Sequence, residues 1–184
     1  CMFTMTHESL KKVCVHASGY AIPLAIGGVH VTNDVERVLD DIPVADIAFL
    51  KEGDVAFKTF VQSVNNQQDY DQLGQVILND KLAGTRYHFP ADKLPSPKDM
   101  DIIPSFDLLD IEEYSDYGTI GAFYCFKPES TQFATVLSNR GCRGQCTFCS
   151  VRNFNGKNVR QRSIDSVVDE LELLENDYGV EHIM

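Results

Sequence analysis

No apolar run in the sequence approaches the ~20 residues that a bilayer-spanning helix requires. Its hydrophobic content of 43% is that of a globular protein with a packed core. An overall positive charge is missing too. Lysine and arginine total 16 against 27 aspartates and glutamates, a net charge of −11, which argues against a general nucleic-acid-binding surface. The opening residues from Cys1 to Glu8 have neither a basic stretch nor a long apolar core, so no secretory signal is read there. Six cysteines in 184 residues do not describe a small disulfide-stapled scaffold. Cys1, Cys14 and Cys125 are scattered, with Cys14 on the apolar face of an expected helix, and a reducing cytoplasm is the expected compartment. One local absence matters more: Ser138 to Ile164 contains no acidic residue and six basic ones, Arg140, Arg143, Arg152, Lys157, Arg160 and Arg162.

Inside that stretch stand Cys142, Cys146 and Cys149, a C-x3-C-x2-C pattern in a glycine-containing loop. The apolar run Phe133 to Leu137 precedes it, and Arg162-Ser163-Ile164-Asp165 opens a helix after it. Thiolates are soft ligands suited to iron–sulfur clusters or zinc. Structural zinc takes four protein ligands, whereas a [4Fe–4S] cube held by three cysteines leaves one iron open to a small molecule. The basic surroundings would favour reduction of an anionic cluster and binding of an anionic ligand. Two other readings stay open. A closed electron-transfer cluster would need a fourth cysteine, for which Cys125 is the candidate. A zinc-binding interaction module is the other.

Elsewhere the pattern is helix alternating with strand, which predicts an α/β fold of βαβ units with a parallel sheet. His7 to Ala17 carries Leu10, Val13, Cys14 and Ala17 at helical spacing. Pro23 to Ile26 reads as a strand ending at Gly27-Gly28, where absent side chains let a ligand approach or a tight turn form. Asn33 with Glu36 reads as a capping box for the next helix. Asp46 to Leu50 is a second strand, and Lys51-Glu52-Gly53-Asp54 opens a helix with Phe57, Phe60, Val61 and Val64 on one side. From 67 to 130 the pattern weakens into a proline-punctuated linker, with short strands at Gln75–Leu78 and Gly84–Phe89. Thr131–Ser138 and Val180–Met184 read as strands flanking a helix capped by Ser163 and ended by Gly179. His30 reads as structural, since a lone histidine in a strand–helix loop seldom ligates a metal.

Cys142, Cys146 and Cys149, with aromatic Phe148 before the last, resemble the signature of the radical S-adenosylmethionine superfamily. The segment Ile26 to Thr32 with its glycine pair, followed by Lys51 to Asp54, resembles the later part of the cobalamin-binding domain that precedes the catalytic barrel in many members. The likeness is incomplete: Lys51-Glu52-Gly53-Asp54 stands where the family often has Gly-Glu-Gly-Glu.

The resemblance implies a partial doubly wound, Rossmann-like cobalamin-binding domain over 1–66, a linker over 67–130, and the truncated start of a β/α barrel over 131–184. The chain is thus expected to be a fragment of a longer enzyme, inactive alone. The three cysteines would hold a [4Fe–4S] cluster, Phe148 would lie near the adenine of S-adenosylmethionine, and Gly27 and Gly28 would pack against the cobalamin tail. The implied activity is cleavage of S-adenosylmethionine to a 5′-deoxyadenosyl radical, with cobalamin serving methyl transfer or related chemistry on an unactivated carbon. A radical enzyme whose upstream domain no longer binds cobalamin is the nearest alternative. The implied partners are a small-molecule substrate and a reductant such as flavodoxin or ferredoxin, without nucleic acid or a membrane span.

Overall fold

The computed structural model describes residues 3–66, 73–90, 92, 94–117 and 132–184. Cys1, Cys125 and Thr131 lie outside the described residues, as do 67–72 and 118–130 of the expected linker. The described residues divide into two compact units, one from Cys1–Pro95 and Gly141–Val159, the other from Ser96–Arg140 and Arg160–Met184. The architecture is mixed α/β.

The first unit holds α1 (His7–Ala17), β1 (Ala25–Gly27), α2 (Val29–Asn33), α3 (Val35–Asp41), β2 (Ile47–Phe49), α4 (Asp54–Asn66), β3 (Val76–Asp80) and β4 (Thr85–Phe89). Its sheet runs β1-β2-β3-β4. The β1–β2 pair is parallel, as a strand–helix–strand crossover requires. That pair meets the expectation of a parallel sheet, while the two further pairs are antiparallel, so the sheet as a whole is mixed. They come from the stretch expected to be a linker: Val76 and Ile77 are both buried, so this strand is covered on both faces. The β3–β4 turn is closed by the Asp80 carboxylate, which accepts from the backbone N–H groups of Leu82 and Ala83.

Side chains alternate across the sheet. Ile26, Ala48 and Ile77 join a core with Cys14, Val31, Val38 and Leu39 from α1, α2 and α3. Ile47, Phe49 and Val76 face the other way, against Ala56 and Phe60 of α4. The apolar side expected for α4 is therefore only partly inward. Phe57, Val61 and Val64 are exposed, although the Phe57 ring still meets Phe49 edge-on at 5.5 Å. The expected capping box at Asn33 does not form either. Asn33 closes α2, and Asp34 stands at the start of α3 without a side-chain cap.

The second unit contains α5 (Pro97–Met100), α6 (Ile111–Tyr117), β5 (Phe133–Ala134), α8 (Ile164–Tyr178) and β8 (His182–Ile183). In chain order, β6 (Asn139–Cys142), α7 (Val151–Asn155) and β7 (Asn158–Gln161) come between β5 and α8, with Gly141–Val159 belonging to the first unit. β5 and β8 pair in parallel, and Phe106, Ile111, Leu174 and Val180 form the core. Ser163 caps α8 by accepting from the Ser166 N–H, and Gly179 ends it at φ +62°. A buried ion pair locks the start of this helix: Arg162 and Glu170 side chains are 5% and 2% exposed. The Arg162 guanidinium also donates to Ser166 Oγ and the Leu137 carbonyl. Arg162 is therefore spent inside the second unit's core.

Candidate functional site

The cysteine loop grows out of β6, which pairs with β7 in a two-stranded sheet. Gly141 sits at φ +92°, and a Cβ there would lie 2.0 Å from the Asn158 carbonyl oxygen. Only glycine satisfies both the backbone angle and the approach. Cys142 follows and bridges Lys157 through the backbone, so the loop's two ends meet at its first cysteine.

Gly144 then turns its N–H onto the Cys142 sulfur at 3.3 Å. A Cβ at Gly144 would stand 3.3 Å from Cys142 Sγ and 3.7 Å from Cys146 Sγ. Two thiols are thus gathered around one residue that has no side chain. The Cys149 N–H reaches back to the Cys146 carbonyl at 3.3 Å, forming the turn into α7. Cys142 is half-buried, Cys146 and Cys149 are exposed, and none of the three is in a disulfide. Phe148, expected near an adenine, is 91% exposed.

Three thiols in one glycine-containing loop are a soft donor set, suited to an iron–sulfur cluster or to zinc. Of the basic residues around the loop, Arg143 and Lys157 are exposed, and Arg152 keeps a buried Nε with no hydrogen-bond partner.

The glycine pair lies in the same unit. Gly27 pairs with Phe49, and a Cβ on it would meet the Phe49 carbonyl oxygen at 3.2 Å. Gly28 has φ 122°, a conformation that favours glycine. Its carbonyl accepts from both the N–H and the hydroxyl of Thr32. The Thr32 oxygen in turn accepts from the Lys51 N–H at 2.8 Å. The two sequence motifs that point to cobalamin are therefore tied to each other directly. Lys51 itself has φ +56°, so the position where the family often carries glycine is one where glycine is unstrained.

Sequence reasoning left a third cluster unnoticed. His30 Nε2 lies 3.1 Å from His7 Nδ1, and His7 Nε2 lies 2.6 Å from the Asp41 carboxylate. Lys11 donates to the other Asp41 oxygen at 2.6 Å. These hydrogen bonds, from His7 first and Lys11 second, hold the Asp41 carboxyl below its ordinary value of 3.8. His7, Glu8 and Asp41 place ligand atoms within 4.8 Å of one another, but Lys11 already neutralises the aspartate, and the group is an ion-pair network. It lines an open pocket of about 600 Å³ with Thr4, Arg37 and Asp40. No spacing rule would have found it, since His7 and Asp41 are 34 residues apart.

No protein-family model matches the chain. An uncharacterized methyltransferase of Pyrococcus horikoshii is 30% identical over 160 residues, covering 87% of this chain and 32% of that protein. The cobalamin-dependent S-adenosylmethionine radical enzyme OxsB, solved with aqua-cobalamin and S-adenosylmethionine, superposes with TM-score 0.68 at 19% identity. That match covers 98% of this chain and 23% of OxsB. The radical S-adenosylmethionine methyltransferase TsrM from Kitasatospora setae, solved with cobalamin and a [4Fe–4S] cluster, gives 0.66 at 15% identity, covering 97% and 33%. The solved neighbours share this chain's fold, and the chain is similar to cobalamin-dependent radical S-adenosylmethionine enzymes. The chain spans about a third of the length of the methyltransferase it matches. Among the described residues, no helix is long and apolar enough to cross a membrane.

Proposed function

We propose that this chain is the cofactor-holding part of a radical S-adenosylmethionine enzyme. Cys142, Cys146 and Cys149 hold a [4Fe–4S] cluster, and Gly27 and Gly28 form the surface against which a cobalamin tail packs. The mixed sheet of the first unit is then the later part of a cobalamin-binding domain. β5, α8 and β8 form the opening strand–helix–strand of a catalytic barrel, whose active site lies at the C-terminal ends of its strands.

The observation that carries this reading is the loop itself: three cysteines at C-x3-C-x2-C spacing, with Gly144 between two of the sulfurs. Three thiolates leave one iron for the amino and carboxylate groups of S-adenosylmethionine, and exposed Phe148 is free to cover its adenine. When bound, the cofactors supply the electron that cleaves S-adenosylmethionine to a 5′-deoxyadenosyl radical and the cobalt that carries a methyl group. The chain's own work is to hold and orient them. Gly141 sets the direction of Cys142, the Gly144 N–H donates to its sulfur, and Gly28 keeps the backbone bare where a bulky group approaches.

The test is iron, acid-labile sulfide and cobalamin analysis of the full protein after anaerobic reconstitution. The reading expects about four irons and four sulfides per chain, both lost in Cys146→Ala, with one cobalamin retained in each. Zinc without sulfide would favour an interaction module. A cluster without cobalamin would favour a radical enzyme that has lost the second cofactor.

A further inference from the structure

We propose that Glu52 is a positioning residue for the cysteine loop, clamping it to the segment that carries the glycine pair. The inference rests on the cluster reading above. Glu52 is 3% exposed, and its Oε1 accepts from Asn155 Nδ2 at 3.0 Å. Asn155 is the last residue of α7, six positions beyond Cys149. The next residues, Gly156 at φ +80° and Lys157, bring the chain back to Cys142. Fixing Asn155 therefore fixes the returning limb of the loop.

Glu52 is itself held rigidly. Its carbonyl accepts from Gln75 Nε2 at 3.1 Å, and the same amide donates to the Leu50 carbonyl. The neighbouring Lys51 N–H is bound by Thr32, four residues after Gly28. A second tie runs beside the first: Asn153 Nδ2 donates to Asn33 Oδ1 at 2.6 Å, and α7 packs on α2. All these residues belong to the first unit. Glu52 and Thr32 thus join the glycine-pair segment to the cysteine loop through side-chain hydrogen bonds, so the positions offered to the two cofactors are set by one rigid frame.

The experiment compares Asn155→Asp, Glu52→Gln and the double variant with the full wild-type protein. Asn155→Asp faces one carboxylate with another. Adding Glu52→Gln restores a hydrogen bond with donor and acceptor exchanged. Each protein is reconstituted anaerobically, and loss of the cluster's visible absorption is followed after a chelator is added. Asn155→Asp is expected to lose its cluster about tenfold faster than wild type, as for a broken, partly buried polar pair. The double variant should return to within about twofold of wild type. Equal rates in all four proteins, or a double variant worse than either single one, would overturn the clamp while leaving the cluster reading intact. A wild-type protein that takes up no cluster would overturn the cluster reading and the clamp with it. The unfolding midpoint of each apoprotein, measured in parallel, separates loop positioning from loss of fold.

Discussion

Replacing Gly141 with alanine tests whether the strand before the first cysteine is built as described. The backbone there has φ +92°, and the new Cβ would sit 2.0 Å from the Asn158 carbonyl oxygen. That oxygen is main chain and cannot rotate aside, so β6 and β7 must part. Holding alanine at such an angle costs ~1–3 kcal/mol, and forcing a methyl into a filled space costs ~1–3 kcal/mol more. A loss of about 2–6 kcal/mol is expected, enough to lower the melting temperature of a unit this size by ~10 °C or more. Gly144→Ala is the companion. Its Cβ meets only the Cys142 and Cys146 sulfurs, at 3.3 and 3.7 Å, so the apoprotein should melt near wild type while cluster uptake falls. Thermal unfolding of the apoproteins and iron uptake under anaerobic reconstitution read the two effects. A Gly141→Ala protein that melts with wild type, or a Gly144→Ala protein equally destabilised, would refute the geometry.

Three further outcomes are expected. Glu170→Ala leaves the buried Arg162 guanidinium without its counter-charge and should destabilise by ~3–5 kcal/mol in urea unfolding; pairing it with Arg162→Met should recover part of that loss. Cys146→Ala should abolish the iron–sulfur signal, and Cys14→Ala should leave it intact, because Cys14 lies in the core where burial raises its thiol above the ordinary value. Asp41→Asn should weaken the fold near neutral pH. A carboxyl lowered in the folded state stabilises fully above its ordinary value of 3.8 and loses that contribution as pH falls through the folded value. The gap between wild type and Asp41→Asn in urea midpoint should therefore be widest at about pH 6 and narrow toward about pH 3.

Local signals in the sequence carried far. Helical spacing marked α1 at its observed bounds, His7–Ala17, and serine and glycine marked the ends of α8, because caps act through residues adjacent in the chain. Where the outcome depended on partners distant in sequence, the signal thinned. The residues of β3 and β4 read as strands, but nothing local says that they add to the β1–β2 sheet in antiparallel order. Phe57, Val61 and Val64 have core-like spacing yet face outward, because Ala56 and Phe60 take the side toward Phe49. The same division holds at the site. Three cysteines within eight positions announce themselves, whereas Glu52 and Asn155 meet across 103 residues. The substitution of lysine for the family's usual glycine at position 51 became intelligible only once its backbone angle was known.

The most direct measurement is electron paramagnetic resonance of the anaerobically reconstituted, dithionite-reduced protein, with and without S-adenosylmethionine. A [4Fe–4S]+ signal that changes on addition is the predicted result, since three cysteine ligands leave one iron for the added molecule to bind. A signal that is present but indifferent to S-adenosylmethionine would contradict the open-iron account and point to a closed electron-transfer cluster.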